Sequence, residues 1–246
     1  MKTGMIAAFA GLAVSGVASA AFVGFNVVTT TGVTNSGQNL TRYELFAVFN
    51  GATDTVLSAS SFQFLAGQST AGIDGYAGFW HKDNNSSAPG TLSQQYGTWA
   101  PQQIGSATTN RPFDSYLVIG STFGANSTAN ADPSWNSGGS GSHAGSPSGW
   151  NRPDLVNNGS IGWFNSSPPN LQGRVGTNNN SATEVRLGQF ILSASDVATR
   201  VYQLTVSWNL QGVTTATNST STFTLPAPGA LALLGLAGVA GRRRRR

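Results

Sequence analysis

Two histidines, His81 and His143, are the only imidazoles in the chain, so they limit where acid–base chemistry could sit. Ser142, Ser146, His143 and Asp154 supply the residue types of a nucleophile, base and orienting acid within one short stretch. No Gly-x-Ser-x-Gly turn accompanies them, and no packed element in that stretch would hold a base in place. No catalytic residue is expected there. The only glutamates are Glu44 and Glu184. Glycoside hydrolysis needs two carboxylates facing each other across a cleft. Each glutamate instead falls in a strand pattern beside an arginine, Arg42 for one and Arg186 for the other, so outward, salt-bridged positions are expected. Asp83, Asn85 and Ser87 place oxygen side chains at alternate positions, as calcium loops do, but the loop glycine and the bidentate glutamate are missing. His81 beside Asp83 does not complete a zinc set, and there is no cysteine to add a thiolate. Neither a metal nor another cofactor is expected, and the chain reads as a non-enzyme.

Binding chemistry is better represented. Four of the six tryptophans fall in two polar stretches, Trp80 and Trp99 within residues 78–111, Trp135 and Trp150 within residues 124–160. Indole faces flanked by Asn and Gln amides suit a sugar, which presents C–H faces and rim hydroxyls. These four are the candidate carbohydrate-binding residues. The competing account is that the rings pin Gly-rich loops onto the body. Trp163 and Trp208 lie in strand patterns and are expected to be structural.

The elements that must position these residues read as strands. Phe22–Val28 opens the set. Tyr43, Leu45, Ala47 and Phe49 share one face of a strand, with Glu44, Phe46 and Val48 on the other. Asn50-Gly51 marks a turn, and Val56–Leu65 reads as the return strand of a hairpin. Ser115–Gly120 is short, apolar and β-branched, the composition of a central strand. Ile161–Phe164 and Glu184–Leu192 follow. Arg200–Leu210 alternates most cleanly, with Tyr202, Leu204, Val206, Trp208 and Leu210 on one face. Gln211-Gly212 turns it into a Thr-rich last strand ending near Phe223. Ser195–Ala198 fits one helical turn capped by Ser195. The mature body has no helical period of ten residues or more. The expected fold is all-β, an antiparallel β-sandwich of about eight to ten strands, jelly-roll-like, with two long Gly/Asn/Ser-rich loops.

Charged residues make up only 9% of the chain, against a usual share of about 25%. Asn, Ser, Thr and Gly replace them, giving a neutral hydrogen-bonding surface that disfavours helices. The formal charge of +4 belongs to the ends: six of the thirteen basic residues are Lys2 and Arg242–Arg246, which leaves seven against nine acidic in the body. A nucleic-acid surface is thereby unsupported.

Both ends look like addresses. Met1-Lys2, the apolar run Ile6–Val17 and the small-x-small pattern Ala18-Ser19-Ala20 form a signal peptide over residues 1–20, with Ala21 the first mature residue. The body spans residues 21–224. Residues 225–246 hold Pro226 and Pro228, which exclude a helix running in from upstream, then the apolar segment Gly229–Gly241 and the arginines Arg242, Arg243, Arg244, Arg245 and Arg246. Thirteen apolar residues make a helix of roughly 20 Å, short of the ~20 residues a bilayer core needs. Under the positive-inside rule the arginines stay cytoplasmic and the body lies outside. The order Pro-x-Pro, short apolar helix, arginine cluster resembles the PEP-CTERM sorting signal of exported bacterial proteins, with Ala227 where that family has glutamate. The resemblance covers residues 225–246 alone. It implies processing by signal peptidase and an exosortase-like enzyme, transient inner-membrane contact through the C-terminal segment, and delivery to the cell envelope or extracellular matrix. The expected role is structural or adhesive, with carbohydrate binding to extracellular polysaccharide as the alternative and a secreted hydrolase last.

Overall fold

The computed structural model describes residues 21–35, 37–65, 79–82, 92–93, 113–120, 161–195 and 199–227. These residues are mostly antiparallel β. Ten strands run in chain order: β1 (Phe22–Asn35), β2 (Gln38–Phe49), β3 (Thr55–Phe64), β4 (His81–Lys82), β5 (Leu92–Ser93), β6 (Tyr116–Leu117), β7 (Ile161–Phe164), β8 (Glu184–Ser193), β9 (Arg200–Asn209) and β10 (Thr217–Leu225). They form two four-stranded sheets. The first has the order β1-β2-β8-β6 and the second β10-β9-β3-β7, while β4 and β5 pair separately. Helical conformation among the described residues is confined to a 3-10 turn at Pro168–Asn170 and one further 3-10 residue, Phe113.

Period-two alternation sets which face of each strand is buried. Tyr43, Leu45, Ala47 and Phe49 of β2 are buried, as are Tyr202, Leu204, Val206 and Trp208 of β9, so the expected phase holds on both strands. Aromatic rings from the two sheets meet in one core. Phe49 of β2 lies 5.6 Å from Trp208 of β9, Phe25 of β1 lies 5.6 Å from Phe223 of β10, and Phe62 of β3 lies 5.9 Å from Phe190 of β8. The first two are edge-to-face, the arrangement the ring quadrupole favours.

Some local readings do not survive. Asn50-Gly51 makes no hairpin. β2 is paired along both edges, by β1 and by β8, so no edge is left for β3. The chain crosses instead to the second sheet, where β3 pairs with β9 and β7. Asp54 secures that crossing by accepting the Gly51 N–H at 3.1 Å. The hairpin partner of β2 is β1, a strand of 14 residues that continues past Val28 and turns back near Gly37. The Ser115–Gly120 segment contributes only two strand residues, and β6 ends the order of its sheet rather than occupying the centre. It is nonetheless fully buried from Asp114 to Ile119. The second sheet helps enclose it: the Trp163 indole N–H of β7 donates to the Val118 carbonyl at 3.1 Å. The β9–β10 hairpin around Gln211-Gly212 forms as expected. Ser195 lies in a turn after β8, while residues 196–198 of the expected helical turn lie outside the described residues. So do residues 1–20 and 228–246, and nearly all of the two long polar stretches.

The segment between β7 and β8 is irregular but built. Asn180 Nδ2 donates to the Gln172 carbonyl at 2.7 Å, and Gln172 Nε2 donates to the Ile119 carbonyl at 2.6 Å. Its backbone closes on β3 through Val56 N–H to Gly173 O at 2.8 Å. A Cβ at Gly173 would stand 2.1 Å from the Val56 carbonyl oxygen, so only glycine lets the two backbones approach this closely.

Candidate functional site

Most of the residue sets that suggested catalysis or metal binding lie outside the described residues. Asp83, Asn85, Ser87, Ser142, His143, Ser146 and Asp154 are all among them. His81 belongs to β4, paired with Ser93 of β5. Among the described residues, no three His, Cys, Asp or Glu side chains come together as a metal site would need.

The glutamates are settled by the first sheet. Alternation puts Arg42, Glu44 and Phe46 on the face of β2 opposite the core. Glu44 Oε1 lies 2.6 Å from Arg186 Nη2 of β8, and its Oε2 lies 3.6 Å from Arg42 Nε. The outward, ion-paired reading therefore holds for Glu44, but the partner of Arg186 is Glu44 and not its strand neighbour Glu184. A register shift between Leu45 and Phe46 brings Arg186 opposite Phe46, and from there its guanidinium reaches across to Glu44 and lies 5.4 Å from the Phe46 ring centroid. Glu184 instead accepts the Asn26 amide at 2.9 Å. Arg186 Nη1 also donates to the Tyr116 hydroxyl at 2.9 Å. Burial raises the Tyr116 phenol above its ordinary value, and the Arg186 charge acts against that rise. With both of its oxygens facing guanidinium groups, Glu44 is held as a scaffold carboxylate.

A second arginine is inside. Arg200 starts β9 on the same face as Tyr202 and is fully buried. Burial lowers its guanidinium to about 10, with the Tyr202 and Tyr43 hydroxyls opposing the shift. It also lies 5.4 Å from the Phe79 ring centroid. This buried cluster borders the exit of the chain from the body. The Tyr43 hydroxyl donates to the Pro226 carbonyl at 2.6 Å, and the Ala227 N–H donates to Thr199 Oγ1 at 3.3 Å. The first two residues of the Pro-x-Pro motif are thus docked on the domain; Pro228 and Arg242–Arg246 lie outside the described residues. Among the described residues no helix is long and apolar enough to cross a membrane.

Of the candidate carbohydrate-binding tryptophans, only Trp80 is described. Its backbone is fixed at both ends, N–H to the Ile191 carbonyl at 2.8 Å and carbonyl to the Ser115 N–H at 3.0 Å. Its side chain is half-buried. Its indole N–H is shielded from solvent and has no hydrogen-bond partner among the described residues. Trp99, Trp135 and Trp150 lie outside the described residues. Trp163 and Trp208 are buried in the core, as their strand positions imply.

One surface went unread in the sequence: the face of the second sheet that points away from the core. Its register stacks outward side chains in rows. Asn218, Ser207, Ser58 and Phe164 form one, and Thr220, Thr205 and Ser60 the next. Thr222, Gln203 and Gln63 form a third. The Thr205 and Thr220 hydroxyls are hydrogen-bonded at 2.7 Å, and Ser207 Oγ donates to Asn218 Oδ1. The four strands contain a single charged residue, Arg200, and it is buried on the opposite face. Phe164 stands 50% exposed at one end of its row. The signal was legible in principle, as long alternating segments whose polar half carries no charge.

No protein-family model, curated protein or solved structure gives a match to this chain. Its function must be argued from these surfaces and from the two ends of the sequence.

Proposed function

We propose that this chain is a non-enzymatic exported protein, sorted by its C-terminal signal to the cell envelope or extracellular matrix, with a structural or adhesive role. The observation that carries the reading is the join between body and tail. The last strand stops at Leu225, and the following Pro226 opens the Pro-x-Pro, apolar and arginine sequence that resembles a PEP-CTERM signal. In this reading the body is a β-sandwich, jelly-roll-like in that the chain passes between the two four-stranded sheets from β2 to β3, from β3 to β6, from β6 to β7, from β7 to β8 and from β8 to β9. Signal peptidase and an exosortase-like enzyme process the ends, with the C-terminal segment held transiently in the inner membrane. Mass spectrometry of exported material tests this: the chain should begin near Ala21 and lack Arg242–Arg246. Recovery of exported protein with its arginine tail intact would remove the sorting signal from the account.

The alternative is a carbohydrate-binding module acting on extracellular polysaccharide. The uncharged outward face of the second sheet favours it, and Trp80 retains some exposed surface for the loop-tryptophan form of the idea. A secreted hydrolase is the least supported reading, since Glu44 is engaged by two guanidinium groups and Glu184 by an amide.

A further inference from the structure

We propose that the outward face of the β10-β9-β3-β7 sheet is a docking surface for a neutral polysaccharide, and that it, rather than a loop, is the adhesive surface of this protein. The inference deepens the matrix reading by naming the surface and the polymer class. It rests on that reading only for where the polymer is met.

The two sheets present opposite surfaces to their surroundings. The first carries Arg42, Glu44, Arg186 and Glu184 on its outer side. The second carries no charge along any of its four strands except the inward Arg200. Arg174, which bridges to Thr55 beyond the end of the rows, donates to Gln211. A polyanion such as a polyuronate or a nucleic acid is bound through Arg and Lys, and this face has none to offer. A protein partner is recognised mainly through buried aromatic and arginine anchors, and the face offers one ring, Phe164. What remains is an array of hydroxyls and amides, each able both to donate and to accept. A neutral glycan has the same chemistry: hydroxyls that donate and accept, with C–H faces between them.

Geometry suits a repeating ligand. Outward groups recur at about 4.8 Å between strands and about 6.8 Å along β9 and β10, so a polymer meets equivalent groups at successive points there, while register shifts at Val56/Ser58 and Ser60/Gln63 interrupt the spacing on β3. Single contacts of this kind are weak, and many on one chain add through effective concentration. Hydrogen bonds within the rows, Thr205 to Thr220 and Ser207 to Asn218, hold the hydroxyls in place before any ligand arrives. Phe164, at the edge beside Ser58, supplies a ring face on which a sugar can stack.

The test is native affinity electrophoresis of the purified full-length chain in gels containing hydroxyethyl cellulose, galactomannan or mannan, with alginate in parallel. The expected result is retardation by at least one neutral polymer and none by alginate. Thr220→Lys and Phe164→Ala should each weaken retardation about tenfold or more. Val28→Lys, on the outer side of the first sheet, should leave it unchanged. Thr220→Val keeps the branched shape and removes the hydroxyl, so it serves if the lysine variant fails to fold. Overturning results are retardation by alginate alone, no retardation by any neutral polymer, or equal loss in the Val28→Lys control. A dimer that Thr220→Lys dissociates would make the face a self-interface, and thermal hysteresis without polymer retention would make it a water-ordering surface; either sinks the proposal. Export plays no part in this assay, so its outcome and that of the terminal sequencing stand apart.

Discussion

Replacing Trp163 with Phe tests whether β6 and its flanks are held to the second sheet by one indole. Trp163 is fully buried, packs edge-to-face on Phe62 at 5.9 Å, and donates its N–H to the Val118 carbonyl at 3.1 Å. Phenylalanine keeps the apolar ring and removes the donor. A buried carbonyl left without that partner costs about 1–3 kcal/mol. The smaller ring leaves a void near methyl size or larger, which adds about 1 kcal/mol. The expected loss is therefore about 2–4 kcal/mol, a large share of the ~5–15 kcal/mol available to a domain. Trp208→Phe is the internal comparison. Its indole N–H donates to Ser219 Oγ at 3.1 Å, and that hydroxyl can rotate toward another partner. The cost there should be nearer 1–2 kcal/mol by the same bookkeeping. Urea unfolding followed by far-ultraviolet circular dichroism measures both, read as a shift in midpoint at constant slope. If Trp163→Phe proves no more costly than Trp208→Phe, the Val118 hydrogen bond does not tie the sheets, and the account of why a terminal strand is fully buried fails.

Leu204→Ala should lower stability by about 2–5 kcal/mol in the same assay, as deleting a fully buried leucine side chain does; an effect under about 1 kcal/mol would place Leu204 outside the core. Gly173→Ala should destabilise by about 1–3 kcal/mol or more, because its Cβ would meet the Val56 carbonyl at 2.1 Å and break the approach of that loop to β3; an alanine variant as stable as the parent refutes the close packing. Asp54 is fully buried, and burial raises its carboxyl above 3.8, against the lowering effect of the Gly51 hydrogen bond. A raised folded-state value means the neutral form is favoured on folding, so the stability Asp54 contributes is present below 3.8 and is lost as pH rises through the raised value. Asp54→Asn should therefore gain stability relative to the parent at pH 7 more than at pH 3.5, and an equal difference at both would contradict the sign.

What was legible in the sequence follows from how local each determinant is. The inward faces of β2 and β9 are written in strict alternation, and a slip of one residue would move every apolar side chain to the wrong face. The β9–β10 reversal is likewise local, since Gln211-Gly212 suits a tight turn and Gly212 adopts a φ of +81°. The Asn50-Gly51 turn was equally local, and there the inference failed. Turn chemistry shows that the chain reverses; it does not show which strand lies beside it, and β1 and β8 had already taken both edges of β2. The partner of Arg186 was hidden for a related reason. In-strand spacing points to Glu184, while a register shift against β2 hands the guanidinium to Glu44. Arg200 broke the pattern from the other side, as a charged residue on a buried face where alternation alone would expect an apolar one. The loop tryptophans stand out in the sequence as the largest side chains of the polar stretches, whereas the outward Thr and Ser of the second sheet carry their meaning only as an array, and an array needs a register that no single strand contains.

The position of that array relative to the tail connects the two proposals. β10 is nine residues long, about 30 Å as an extended strand, and its C-terminal end leads directly into Pro226. Tyr43 and Thr199 fasten the first residues of the tail there, so the chain leaves from a fixed point at one end of the neutral face. The rows then step away from that point toward the Gln211-Gly212 turn. From that exit the uncharged surface extends along β10 and β9, with the ionic groups Arg42, Glu44 and Arg186 on the other sheet. The docked Pro226 and Ala227 fix that exit on the folded domain, whereas without the Tyr43 hydrogen bond the exit itself would be free to move and the face would have more freedom to lose. Adhesion to a fixed polymer favours the first arrangement, because a surface already held in one orientation loses less freedom when it binds.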